Sequence, residues 1–168
     1  AAHTVITAKA NSTSHVVLRS SGQGNLVENV EIVVEDGARL TVVSLQEWDD
    51  DAIHLASHFA QVGRDAKLTH IVVSLGGKVV RINPAVHLSG EGSDGDLYGL
   101  YFADEGQHLE QRVYLHHQPA NTKGRVTYKG ARQGAGARTV SVGDVLISRD
   151  ASGTDSYAKK RTLVPTVA

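Results

Sequence analysis

A short motif recurs along this chain at a nearly constant interval. In each copy a charged residue precedes an apolar residue with high β-propensity. The copies place apolar anchors 28, 29 and 29 residues apart, and a weaker copy follows around Thr154; the anchors are Leu40, Leu68, Leu97 and Val126. Internal periods of roughly 20–50 residues are typical of solenoids and propellers. The spacing therefore predicts a stacked repeat of roughly 29 residues.

A second series interleaves with the first. Val79, Leu109 and Thr139 lie 30 residues apart, and each begins a β-like run. Each repeat should therefore hold at least two strands. A β-sandwich would explain many short strands, but it would not explain two interleaved series with one period. We predict a single all-β domain spanning residues 1–168, a right-handed parallel β-helix in which the four anchors stack in one internal column.

Alternation of side chains supports strands rather than helices. In residues 38–45, Ala38, Leu40, Val42 and Ser44 fall on one face and the residues between them on the other. Residues 46–59 could be read as a helix. Trp48-Asp49-Asp50-Asp51 is more typical of a turn, however, and we expect a strand to begin near Ile53.

Composition excludes several classes of function. The net charge is −1 and the pI is about 6.8, so no nucleic-acid partner is expected. Apolar runs are too short for a membrane span, and we expect a cytoplasmic protein. The chain has no cysteine, which excludes disulfides and thiolate ligands within it. It also has no methionine, even at its first residue, which leads us to expect an excised or re-engineered piece of a longer protein.

The nine histidines are the most prominent potential ligands. In a strand, His54 and His58 would share a face but lie about 13 Å apart, too far for one metal ion. His116 and His117 are adjacent, so at most one of them points inward. The other histidines are expected at surface or hydrogen-bonded core positions.

The remaining motifs suggest no chemistry. The acidic groups Asp49–Asp51 and Asp94/Asp96 match no calcium-loop pattern, and no G-x-S-x-G elbow or phosphate-binding loop is present. We predict no catalytic, cofactor-binding or metal-binding residues, no cofactor and no enzymatic activity.

Residues 121–130, with the sequence NTKGRVTYKG, resemble the Asn-x-x-Ser-x-x-x-Tyr-Lys-Gly segment of the SufB/SufD scaffold proteins. Further similar stretches follow in the family's order and spacing: GARTV at 136–140, GDVLI at 143–147, GTDSY at 153–157, then Arg161 and Leu163. Residues 36–46 and 99–104 are similar to the SufD members in particular. The resemblance covers nearly the whole chain.

This resemblance implies a right-handed parallel β-helix and a role in iron–sulfur cluster assembly. It implies a scaffold subunit core of a SufBCD-type complex, with SufB-like and SufC-like subunits as partners. Two departures stand out: a family cysteine position corresponds to Thr122, and the family serine to Gly124. The family's downstream histidine-containing motif and its SufC-binding helices lie beyond residue 168, so we expect the isolated chain to bind no cluster.

Two alternatives remain open. One is a β-helix domain that binds or cleaves carbohydrate, which would need an aromatic stripe or an acidic cluster at equal positions on successive repeats. The other is an engineered β-helix without activity. A homodimer is also an option, because a solenoid exposes strand edges at its ends. Lys159, Lys160 and Pro165 are expected to disfavour pairing at the C-terminal end, leaving the N-terminal strands near Thr4–Thr7 and His15–Leu18 more open.

Overall fold

The computed structural model describes residues 1–164, which form twelve β-strands and no helix. Accordingly, nothing in this part of the chain could cross a membrane as a helix. The strands are β1 (Ala2–Ala8), β2 (Thr13–Gly22), β3 (Asn25–Val34), β4 (Arg39–Trp48), β5 (Ile53–Val62), β6 (Lys67–Ser74), β7 (Val79–Leu88), β8 (Asp94–Ala103), β9 (His108–His117), β10 (Lys123–Arg132), β11 (Arg138–Ile147) and β12 (Asp155–Leu163).

The strands build a parallel β-solenoid of six rungs. The odd-numbered strands form one six-stranded sheet in sequence order, and the even-numbered strands form the other. Each rung is one odd strand followed by one even strand, so rung 1 is β1–β2 and rung 6 is β11–β12. All pairings are parallel. The predicted parallel β-helix is confirmed, as is the strand that begins at Ile53.

The predicted alternation is also confirmed. In β4, Leu40, Val42 and Ser44 are buried, whereas Arg39 is exposed and the other intervening residues are half-buried. Inward residues of the two sheets meet between them and form the apolar core. Burying a Leu, Ile or Val side chain contributes about 1.5–3 kcal/mol, and no rung can do this without its neighbours.

The prediction of one anchor column is wrong. All four anchors are buried, but Leu68 pairs with Gly95 and Leu97 pairs with His70. Leu40 and Leu68 therefore share one column, while Leu97 and Val126 share the next. The offset between β6 and β8 is 27 residues, two fewer than the spacing of their anchors, and a shift of two keeps the face but changes the column.

The second series contains a one-residue error. Leu109 pairs with Val80, not with Val79, and Thr139 pairs with Leu109 as expected. Because successive side chains alternate, Val80 is buried and Val79 is not. The repeat is real but its length varies, from 26 to 30 residues in the odd sheet and from 26 to 32 in the even sheet.

One corner of the solenoid carries a vertical row of residues with left-handed backbone. Their φ values lie between 54° and 71°, and the row alternates an amide or acid with glycine: Asn11, Gly37, Asp65, Gly92, Asn121 and Gly153. Backbone N–H groups of this row donate to carbonyls of the next rung. Each glycine lies against the side-chain oxygen of the preceding Asn or Asp, so a Cβ there would collide with it. Glycine is thus required by both backbone conformation and space.

Candidate functional site

Four of the nine histidines lie inside the solenoid. His54, His58 and His70 belong to rung 3, and His117 ends β9 in rung 5; each is at most 1% exposed. As predicted, His117 points inward and its neighbour His116 points outward. The interior position of His54, His58 and His70 was not predicted, because a histidine in an alternating strand is indistinguishable from a surface residue by hydropathy.

His58 and His70 form a buried imidazole pair. Nδ1 of His58 lies 3.0 Å from Nε2 of His70, with the rings edge to face. Burial, reinforced by the neighbouring His70 and His54, lowers the pKa of His58 to about 3, and burial alone lowers the pKa of His70 to about 4. Both rings are therefore neutral at pH 7, so one donates a hydrogen bond and the other accepts it.

His54 belongs to a hydrogen-bonded chain within the core. Its Nδ1 lies 2.8 Å from Oε1 of Gln46, whose amide nitrogen donates to Ser44 Oγ at 2.6 Å. Trp48 Nε1 also donates to Gln46 Oε1. On the other side, Nε2 of His54 is 3.4 Å from a Glu28 carboxylate oxygen, an ion-pair distance without hydrogen-bond geometry. Burial lowers the pKa of His54, and the Glu28 carboxylate opposes that shift.

His117 lies against the segment that carries the family resemblance. Its Nδ1 is 2.7 Å from Oγ1 of Thr122, which is fully buried and lies 3.4 Å from Thr154 Oγ1. A Cβ on Gly124 would lie 2.7 Å from the His117 ring and 2.6 Å from a Leu115 methyl. The two departures from the family pattern thus occur together: Thr122 bonds the histidine, and Gly124 leaves space for its ring.

The Tyr-Lys-Gly part of the same segment has a packing role. The ring of Tyr128 covers Gly99, and the ring of Tyr101 covers Gly130, where any Cβ would overlap it. Tyr101 Oη lies 2.9 Å from Thr162 Oγ1. Burial raises the pKa of Tyr128, whose ring is fully enclosed. These reciprocal Tyr–Gly pairs explain why glycines stand in the middle of strands, where they are normally unfavourable.

The last rung is open. Val145 and Ile147 occupy the inward columns of Leu115 and His117, yet they are 37% and 50% exposed, because no further rung covers them within residues 1–164. On the opposite strand, Lys160 continues the inward column of Tyr128 and donates from Nζ to the Ser141 carbonyl at 3.0 Å. Partial burial lowers the pKa of Lys160, and Asp144 opposes this. The lysine shields the β12 side of the opening.

The outer faces lack the features that a carbohydrate site would need. Phe59, Ala85 and Tyr114 follow one another at the same outward position, so the aromatic row is interrupted in its middle. The acidic pair Asp94 and Asp96 is held by Lys67, whose Nζ lies 3.0 and 2.8 Å from their carboxylates. Across residues 1–164, no group of three His, Asp or Glu side chains is placed to hold a metal ion.

Comparisons with known proteins agree with the resemblance. A family model described as SUF system FeS cluster assembly, SufBD core domain, matches residues 1–166. An iron-sulfur cluster assembly SufBD family protein of Mycobacterium leprae is 50% identical over 157 residues, 90% of this chain and 40% of that protein. A counterpart from Mycobacterium tuberculosis H37Rv is 48% identical over the same shares.

The chain thus spans about 40% of the length of these relatives. A second SufBD family protein of M. leprae is less similar, at 32% identity over 130 residues, 77% of this chain and 15% of that protein. The chain is therefore nearer to one group of mycobacterial SufBD proteins than to another.

Proposed function

This chain belongs to the SufBD family of iron–sulfur cluster assembly proteins, and on that premise we propose that it is the core of a scaffold subunit in a SufBCD-type complex. In this proposal the chain acts through protein contacts, with SufB-like and SufC-like subunits as partners, in the cytoplasm. The cluster is the cargo of the assembly. The chain itself catalyses no step.

Within the family we propose a SufD-type subunit. The chain has no cysteine, so no thiolate of its own can ligate a cluster. Thr122, at the position of a family cysteine, is already hydrogen-bonded to His117 and is buried. The unequal identity to the two mycobacterial groups supports membership of one branch rather than an equal relation to both.

The exposed inward face of rung 6 carries the proposal of a protein partner. Val145 and Ile147 are apolar residues in core columns that only another layer of backbone can cover. An open strand edge pairs readily with an added strand. We propose that a SufB-like subunit covers this end on its β11 side. The expectation that Lys159, Lys160 and Pro165 disfavour this end stays a prediction; Lys160 shields the β12 side, and Pro165 lies outside the described residues.

Pull-down with a SufB-like subunit tests the proposal. Val145→Lys and Ile147→Lys should each weaken capture at least about tenfold, since a buried unpaired lysine in an interface is costly. Val5→Lys, at an outward position that is 60% exposed in rung 1, is the matched control and should not change capture. Capture that depends on Val5 and not on Val145 would place the contact at the other end. Capture of neither subunit by the unmodified chain would overturn the scaffold proposal.

Anaerobic reconstitution tests the absence of chemistry in the chain itself. With iron and sulfide supplied, we expect no stoichiometric cluster and no visible absorption band, because iron–sulfur clusters are held mainly by cysteine thiolates. A cluster counted at one per chain would show that histidines and carboxylates suffice.

A further inference from the structure

Two histidines lie side by side on the outer face of the odd sheet. His87 on β7 and His116 on β9 are paired in register, on neighbouring strands about 4.8 Å apart. Their ring centroids are 5.4 Å apart and the rings are nearly perpendicular. Both side chains are half-buried and lie next to Tyr114, and Phe59 packs on His87. The two imidazoles thus reach solvent from one partly apolar patch.

The hydrogen bonds of His116 select which ring nitrogen is available to a ligand. Its Nε2 lies 3.0 Å from Ser148 Oγ, and the Gln118 amide nitrogen approaches Nδ1 at 3.5 Å. An amide N–H can only donate, so Nδ1 carries the lone pair and Nε2–H donates to Ser148. Histidines that bind metals usually have this arrangement, with the second N–H held by an outer hydrogen-bond acceptor.

The neighbouring residues leave room for further ligands. Gln61 is paired with His87 on the side away from His116, and it is exposed. Its amide oxygen can approach from β5, and water can fill the remaining positions. Two imidazoles with water satisfy the preference of borderline first-row divalent ions, which bind imidazole readily.

We propose that His87 and His116 form a surface site for a borderline first-row divalent metal ion such as Zn²⁺, with Nδ1 of His116 as one ligand atom and Ser148 as its outer partner. The ion keeps open coordination positions that are filled by water. Such a site exchanges its ion with solvent, unlike a closed structural site with four protein ligands. The inference does not depend on the proposed scaffold function.

Zinc titration of the purified chain, followed by calorimetry, tests the proposal. We expect one site per chain, with affinity at least tenfold weaker in His87→Ala and in His116→Ala. Ser148→Ala should weaken binding by a smaller factor, about two- to tenfold, because it removes only the outer hydrogen bond. His15→Ala, an exposed histidine on the other sheet, is the matched control and should bind zinc like the unmodified chain.

Imidazole NMR signals of the unmodified chain provide a second readout that needs no variant. Zinc should shift the resonances of His87 and His116 first, at substoichiometric metal. Unchanged stoichiometry and affinity in the His87→Ala/His116→Ala double variant would overturn the site, as would shifts confined to other histidines. Unchanged binding by Ser148→Ala would overturn the assignment of Nδ1.

Discussion

Rung 3 and rung 6 use the same solenoid positions with opposite results. In rung 3 the inward side chains include three polar imidazoles, His54, His58 and His70, and all are essentially inaccessible to solvent. In rung 6 the inward side chains include apolar Val145 and Ile147, and both are substantially exposed. Burial is therefore set by whether a rung has neighbours on both sides, not by the polarity of its residues. The central rungs stabilise the fold, and the last rung presents a surface.

The largest expected difference between the two regions appears on acidification. His58 and His70 have pKa values of about 3 and 4 when folded, against 6.5 when unfolded. The unfolded chain therefore binds more protons below pH 6.5, so stability is lost as the pH falls from 6.5 towards 4 and is constant above that window. For the two groups we expect about 4 kcal/mol less stability at pH 5 than at pH 7.

Urea denaturation at several pH values checks this effect. The double variant His58→Leu/His70→Leu keeps similar side-chain volumes and should show a pH dependence smaller by that amount. His3→Ala, which removes an exposed histidine, should leave the pH dependence close to that of the unmodified chain. Equal dependence in the double variant and the unmodified chain would mean that the buried pair does not control acid unfolding.

The next largest difference concerns truncation of inward residues. Leu97→Ala removes a fully buried side chain in a central rung and should cost about 3 kcal/mol. Ile147→Ala removes a side chain that is half exposed, and it should cost less than about 1 kcal/mol. Denaturant midpoints compare the two variants. Similar losses would show that the last rung is as well packed as the centre.

Glycine substitution is expected to separate the regions by a smaller amount. A Cβ at Gly99 would overlap the Tyr128 ring and lie 2.7 Å from Gln111 Oε1, so Gly99→Ala should cost about 1–3 kcal/mol. At Gly143 in rung 6 the nearest atom is the flexible end of Lys160 at 3.0 Å, and Gly143→Ala should stay within about 0.5 kcal/mol. Adding Tyr128→Leu to Gly99→Ala should recover part of the loss. No recovery would mean that the clash is not with this ring.

The sequence predicts the architecture better than its register. Alternation in residues 38–45 and the recurrence of anchors identify parallel strands, because both depend on local pattern. The column shift between Leu68 and Leu97 could not be predicted, since it depends on corner lengths that change by one or two residues between rungs. A constant period cannot represent such changes.

The polar interior could be predicted even less. His58 and His70 are twelve positions apart and face each other across the two sheets. No local pattern relates them. The same holds for Tyr128 and Gly99, which meet because their strands are neighbours in the even sheet. By contrast, the opposite faces of His116 and His117 follow from strand geometry alone and are confirmed.

The smallest effect concerns the guarded edge of rung 6. Lys159→Thr/Lys160→Thr removes two charges beside an open strand and should increase self-association at high concentration, by a free energy below about 1 kcal/mol per charge. Analytical ultracentrifugation of this variant and the unmodified chain measures it. If both stay equally monomeric, these lysines are not what protects the β12 edge.

Hydrogen–deuterium exchange tests the division of the solenoid most directly. With mass spectrometry on the isolated chain, amides of β5 to β10 should be strongly protected, and those of β11 and β12 should exchange at least about 100-fold faster because they open locally. Addition of a SufB-like subunit should slow exchange in β11 more than in any strand of rungs 1 to 5. Equal protection of rung 3 and rung 6 in the isolated chain, or a partner effect confined to the N-terminal strands, would contradict the account.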